Sequence, residues 1–283
     1  MRKNFSVFVV LSFVFCTFVV NAQDLKYPPI PNVSSIAHRG FSNIAPENTL
    51  IAVKKAIEVG AQGCEFDVYS TADGVLFLTH DKNLKRTTGY DCDCKSIDST
   101  KLFTLDFGAW KGEEFRGETV ATYEEALALL KGTKTHPVIE IKENGFENKI
   151  LEGIRKYDLL KESIVIDFDA TRVKHIRELA PDLCVAWLCS FKANEESPQS
   201  IANRIINTLK DCNTNVVDIE YHAISPELLK ILDNAGISVM CWTVDNPNDI
   251  ERLVSLGVKS ITSNRPDLVL EIQKKQSSSN SKL

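Results

Sequence analysis

Basic charge is scarce in this chain. Its 33 Lys and Arg stand against 38 Asp and Glu, a formal net charge of −5. Sequence-independent nucleic-acid binding needs clustered Lys and Arg, so this composition argues against it. No basic amphipathic segment suggests docking on a membrane surface either. Internal repeats and low-complexity spacers are missing, which argues against a purely structural surface protein. Cysteine is sparse and awkwardly numbered: eight residues, or seven once Cys16 is set aside with the N-terminal leader. An odd count is a poor match to a complete disulfide framework. Cys64, Cys184, Cys189 and Cys241 fall in apolar runs, where free cysteine acts as a small buried hydrophobe. Cys92-Asp93-Cys94 lies in a polar loop with no second Cys or His pair at zinc-site spacing. Oxidation of one of these two with a distant partner is the expectation there.

The one long apolar run stands at the beginning. Arg2 and Lys3 precede apolar residues 5–20, and Val20-Asn21-Ala22 offers tolerated residues at the −3 and −1 positions of a cleavage site. That is the layout of a secretory signal peptide, too short for a comfortable membrane span. Residues 1–22 are therefore expected to be removed on export, to the periplasm or the medium, with no stable membrane insertion afterwards. Removal takes two basic residues and no acidic one, which leaves 261 residues at a net charge of −7. The sequence carries no indication of oligomeric state.

Beyond the leader, the chain alternates short β-type runs with amphipathic helical ones. The strand candidates are 35–38, 64–69, 75–80, 138–142, 164–168, 184–188, 216–221, 239–244 and 260–262. Helix starts are marked by Asn48, Ser225-Pro226-Glu227 and Asn246-Pro247, and Gly60, Gly236 and Gly257 stand where left-handed terminators belong. Only Thr71-Ala72-Asp73-Gly74 separates the second and third runs, so these two form an antiparallel hairpin. Helix-length crossovers join the remaining eight, which implies an eight-stranded parallel sheet. A chain of this size matches the ~250 residues of a single (β/α)8 barrel. The barrel is assigned to residues 23–275, with an insertion at about 81–120 and a Ser-rich tail, 276–283, expected to be disordered.

In such a barrel the reactive groups sit at the C-terminal strand ends. Those positions offer His38-Arg39-Gly40, then Glu65-Phe66-Asp67, His80-Asp81, Glu140-Ile141-Lys142, Asp167 and Asp169, Glu220 and His222, and Trp242. Glu65 and Asp67 follow the two-residue strand period and leave one face together. With Glu140 from the next parallel strand they make a hard oxygen site suited to Mg2+ or Ca2+. Arg39 and Lys142 could instead answer the same carboxylates with no metal present. His38 and His80 flank the cluster, and imidazole titrates near neutral pH, so one could accept a proton while the other donates one. Arg39 and Lys142 also carry the positive charge that a phosphodiester needs.

His38-Arg39-Gly40, Pro46-Glu47-Asn48-Thr49, Glu65-Phe66-Asp67-Val68, His80-Asp81 with Arg86-Thr87-Thr88-Gly89, Glu140-Ile141-Lys142, Trp242-Thr243-Val244 and Thr262-Ser263-Asn264-Arg265-Pro266 occur in that order. In this the chain resembles the glycerophosphodiester phosphodiesterase family from about residue 36 to 268. The resemblance implies a (β/α)8 barrel and hydrolysis of a small-molecule glycerophosphodiester to glycerol 3-phosphate and an alcohol. It implies one divalent cation on Glu65, Asp67 and Glu140, with His38 and His80 as the acid/base pair. It further implies phosphate contacts from Arg39 and Lys142, a glycerol-pocket wall at Trp242, and a supporting role for Glu47 in the first catalytic loop. Ala121-Thr122-Tyr123-Glu124-Glu125 departs from the family's usual Pro-Thr-Leu, a position that only introduces a helix. Two other readings stay open. A phospholipase-type enzyme would keep the fold and use Phe103, Phe107, Trp110 and Phe115 as an apolar docking rim. A non-catalytic barrel would bind the phosphodiester without cleaving it.

Overall fold

The computed structural model describes residues 27–192 and 195–280. The expected signal peptide at residues 1–22 lies outside the described residues, and among those described no helix is long and apolar enough to cross a membrane.

Nine strands are described: β1 (Ser35–Ala37), β2 (Gly63–Ser70), β3 (Leu76–Leu78), β4 (His136–Ile141), β5 (Ile164–Asp167), β6 (Cys184–Cys189), β7 (Val216–Glu220), β8 (Ser238–Trp242) and β9 (Ser260–Ser263). The sheet runs β1-β9-β8-β7-β6-β5-β4-β2, and β1 pairs with β2 to close it. Every pairing in that ring is parallel. The ninth strand, β3, lies antiparallel against β2, with Val68 opposite Leu78. The eight-stranded barrel and the appended hairpin are those expected from the strand count.

Helices fill the crossovers: α1 (Leu50–Val59), α2 (Lys85–Thr88), α3 (Ser99–Leu102), α4 (Tyr123–Leu130), α5 (Glu147–Lys156), α6 (Ala170–Leu179), α7 (Pro198–Cys212), α8 (Pro226–Asn234), α9 (Pro247–Ser255) and α10 (Pro266–Asn280). Ser225 and Asn246 cap α8 and α9 through their side chains, as their sequence context implied. The first helix spans the expected residues, but its cap is not the residue that marked its start. Thr49, not Asn48, accepts from Ala52 N as its cap, because Asn48 is drawn toward β2 instead.

Strand alternation sorts β2 into two faces. Cys64, Phe66 and Val68 join the apolar layer between sheet and helices, so Glu65 and Asp67 point into the barrel. Phe66 is fully buried there, with its ring 6.4 Å from that of Tyr123 on α4 at an angle of 57°. Tyr123 Oη donates to Ile150 O on α5 at 2.9 Å. Gly153 lets α5 come that close, since a Cβ there would sit 2.5 Å from the Tyr123 ring. Phe66→Ala removes the wedge that holds β2 and is expected to cost about 3–5 kcal/mol. A urea midpoint unchanged from the parent's would show that β2 is held by something else.

The segment between β3 and α4 carries α2, α3 and a small core of its own, with Leu84, Cys94, Ile97, Leu102, Phe107 and Val120 buried against Tyr69 and Phe77. Two expectations fail here and at the C-terminus. Cys92 and Cys94 are both free, as are the five other described cysteines. Cys94 is buried in that small core, so packing rather than oxidation accounts for it. The tail is not disordered from residue 276: α10 runs on to Asn280. Gln276 Nε2 bonds Glu251 O and Ser255 Oγ on α9, and Ser277 Oγ bonds back to Lys274 O.

Candidate active site

The loop after β1 turns back on itself through two consecutive left-handed residues, Arg39 at φ 55° and Gly40 at φ 75°. Gly40 is required twice over, since a Cβ there would lie 2.6 Å from Ala52 Cβ and the conformation favours glycine. The turn leaves Arg39 N donating to Glu65 Oε2 at 2.8 Å, while Arg39 Nη1 donates to Glu47 Oε1 at 2.9 Å. Glu47 also takes two bonds from Arg86, whose Nε donates to Asp81, and Asp81 Oδ1 lies 2.8 Å from His80 Nδ1. One continuous polar chain thus ties the His38 loop to the His80 loop.

Glu65, Asp67 and Glu140 each offer an oxygen, and these atoms lie within 4.8 Å of one another. The strand register produces this, because Asp67 on β2 stands directly beside Glu140 on β4. Asn48 holds Asp67 in place: its Nδ2 donates to Asp67 Oδ2 at 2.8 Å and its Oδ1 accepts from Asp67 N at 3.1 Å. Lys142 Nζ bonds Glu140 Oε1 at 2.7 Å and approaches Asp67 Oδ1 to 3.3 Å. Glu65 Oε1 is buried without a hydrogen-bond partner, and Asp67 Oδ1 has only the ion pair with Lys142. A buried carboxylate oxygen left unpaired in a cluster of three fits a divalent cation better than it fits charge pairing alone. This cluster could hold a metal ion.

The electrostatics agree with that fit. Burial, then the charges of Asp67 and Glu140, push the Glu65 pKa well above its ordinary value. Burial and Asp67 push Glu140 up to about 7. Burial would raise Asp67 as well, but Lys142 and Arg39 outweigh it and hold Asp67 below the usual carboxylate range. Burial alone would lower the Lys142 ammonium; Asp67 and Glu140 overcome it and raise the pKa.

The tautomer of His38 is set by the chain of polar groups behind it. Asp245 Oδ2 lies 2.6 Å from Asn264 Nδ2, and a carboxylate can only accept, so the Asn264 amide must point its NH2 at Asp245. Its Oδ1 then faces His38 Nδ1 at 2.8 Å, which makes Nδ1 the protonated nitrogen and leaves Nε2 with a lone pair. Burial first, and the charge of Arg39 second, lower the His38 pKa to about 4, so the ring is neutral at physiological pH. Asn264→Leu should cut turnover on the order of 10–100-fold, part of the full acid/base contribution, with KM little changed. A rise in KM at constant kcat would assign Asn264 to substrate binding instead.

His38, Arg39, Glu65, His80, Glu140, Lys142 and Trp242 all line one cavity of about 120 Å³ at the C-terminal end of the barrel. A larger one, about 1320 Å³, opens among the N-terminal strand ends near Val33, Gln62, Ser238 and Ser260 and holds none of these groups. Trp242 stands edge-on to Phe168, ring centres 5.5 Å apart, and its Nε1 donates to Asp218 O.

The other strand-end candidates are engaged elsewhere. Asp167 is paired with Arg172, Asp169 caps α6, and Glu220 bonds His222 Nδ1 at 2.6 Å.

The glycerophosphoryl diester phosphodiesterase family model matches residues 38–268. The chain belongs to that family. It is 32% identical over 85% of its length, and 97% of the relative's, to a glycerophosphodiester phosphodiesterase of Caldanaerobacter subterraneus. A solved phosphodiesterase of Oleispira antarctica, in complex with the product sn-glycerol-3-phosphate, is 25% identical with a TM-score of 0.76, over 84% of this chain and 95% of that one. A solved glycerophosphodiester phosphodiesterase of Agrobacterium tumefaciens is also 25% identical, with a TM-score of 0.70, over 83% of this chain and 97% of that one.

The sequence assigns no site role to four side chains of this family member, although Asn48 and Asn264 lie inside motifs that carry the resemblance. Asn48, Asn264 and Asp245 position Asp67 and His38. The fourth, Asp218 on β7, lines the cavity itself and is 1% exposed. Burial, then the charge of Glu140, push its carboxyl well above the ordinary range.

Proposed function

We propose that this enzyme hydrolyses glycerophosphodiesters to glycerol 3-phosphate and a free alcohol, with a divalent cation held by Glu65, Asp67 and Glu140. The observation that carries the reading is the convergence of two histidines, Arg39 and Lys142 on one small cavity that Glu65 and Glu140 line, with Asp67 clustered beside those two carboxylates, in a member of this family. Bound there, Mg2+ or Ca2+ would supply Lewis-acid polarisation of the phosphoryl group. Arg39 and Lys142 orient the diester and balance its charge. His38 Nε2, neutral and free to accept, takes a proton from the attacking water as the water oxygen bonds to phosphorus. The phosphorus–oxygen bond to the head-group alcohol breaks, and a proton from His80 goes to the departing oxygen. His80 suits this second role by position: its side chain is 36% exposed and can be reprotonated from solvent. Residues 1–22 support export as the location of this activity.

The docking rim of the phospholipase-type alternative is broken up: Phe107 is buried in the small core, while Phe103 and Trp110 are exposed and Trp110 carries Arg86 and Lys111 over its ring. A panel of glycerophosphodiesters tests the proposal, assayed first with chelator and then with each divalent ion restored. Release of glycerol 3-phosphate only when metal is returned is the expected result. Cleavage of lipid vesicles but not of soluble head-group diesters would overturn it.

A further inference from the structure

Asp218 is a buried carboxyl group with nothing to hold. Neither of its oxygens has a hydrogen-bond partner among the described residues. Its neighbours in register, Leu188 on β6 and Met240 on β8, are apolar. Val217 and Ile219 pack outward against the helices, so strand alternation sends Asp218 into the barrel. There it lines the same cavity as His38, Lys142 and Trp242, with Ile166, Leu188 and Thr262 buried around it. It is not one of the three carboxylates that could share a cation, and Lys142 is already committed to Glu140 and Asp67. A buried polar group left unsatisfied by its own chain is tolerated where a ligand completes it.

We infer that Asp218 is a specificity-determining residue whose carboxyl group hydrogen-bonds a hydroxyl of the substrate's glycerol arm. The inference rests on the proposed hydrolysis and adds the orientation of the substrate within the cavity. A volume of about 120 Å³ is well below that of a pocket enclosing a whole ligand, so it takes one end of the diester. His80, the half-exposed proton donor, marks the side on which the leaving alcohol departs. The opposite arm, glycerol, then enters the closed floor, where Asp218 is almost wholly buried. Trp242, which bonds Asp218 O through Nε1, walls the same arm. A hydroxyl can pair with the carboxyl group in either protonation state, as donor or as acceptor.

The test compares Asp218→Val and the near-isosteric Asp218→Asn with the parent on two substrates, glycerophosphocholine and bis(4-nitrophenyl) phosphate, which has no hydroxyl. The Val variant should lose on the order of 10²-fold in kcat/KM on the first and little on the second, because a site built for a hydroxyl depends on that pairing. The Asn variant, which keeps a polar amide there, should recover most of the loss. Equal losses on both substrates, or none on either, would overturn the inference. Calorimetric binding of sn-glycerol 3-phosphate and of inorganic phosphate separates this from the hydrolytic reading. Weakened binding of the first alone in the Val variant supports the role of Asp218 even if the parent cleaves no diester. That absence of cleavage would sink the proposed function by itself. Parent turnover with unaltered binding of both ligands in the variant would sink only the role of Asp218.

Discussion

His38→Ala should lower turnover of a glycerophosphodiester by roughly 10²–10⁴, the contribution of a positioned general base. His80→Ala should cost a similar factor on a substrate whose leaving group is a simple alcohol. The two parts separate on a diester that expels a nitrophenolate, which departs as a stable anion and needs no proton. On that substrate His80→Ala should recover most of its rate, while His38→Ala stays impaired. The pH profile adds a second check. His38 works as a base only when deprotonated, and burial together with Arg39 lowers its pKa to about 4. With the cation saturating, so that Glu65 and Glu140 are held ionised, the acid limb of kcat/KM should therefore lie below the ordinary imidazole value near 6.5, and vanish from the residual activity of His38→Ala. Full recovery of His38→Ala with the nitrophenyl substrate would exchange the two roles.

Much of this architecture is readable in the residues because local and global signals agree. The hairpin follows from Asp73-Gly74, where Gly74 adopts φ 82° and Asp73 goes on to bond Ser99 N and Oγ. The acidic cluster follows from alternation on β2 plus a parallel neighbour, both visible as pattern. What pattern could not give is what lies across the barrel from what. Asn48 reads as a helix cap, yet its left-handed backbone at φ 58° delivers its amide to Asp67, on a different element. Asn264 and Asp245 stand 19 positions apart in the chain, and they act on His38, which is 226 positions from Asn264. At the end of β7 and just beyond it the obvious polar residues, Glu220 and His222, pair with each other, and the one that faces the cavity, Asp218, stands two positions before Glu220, between apolar neighbours. A single Asp in an apolar strand gives no sign of which level of the barrel it reaches.

Glu65→Gln and Asp67→Asn should abolish both metal-dependent turnover and the stabilisation that metal confers. At a free cation concentration 100 times its dissociation constant, the parent should gain about 2.7 kcal/mol against unfolding, and these variants almost nothing. The gain should also depend on pH, with a sign set by the carboxylates. Burial and Asp67 raise Glu140 to about 7, and Glu65 is raised too. Between their ordinary values and these raised ones, the folded metal-free protein binds more protons than the unfolded chain. The contribution of Glu140 to stability therefore falls as pH rises from about 4.5 to 7, and that of Glu65 falls in the same direction. A cation requires the same groups ionised and displaces those protons. The thermal midpoint should thus rise more on adding Mg2+ or Ca2+ at pH 8 than at pH 5, and Glu140→Gln should flatten that difference. Equal gains at both pH values in the parent would mean that the ion binds elsewhere, and the carboxylates would then be charge partners of Arg39 and Lys142.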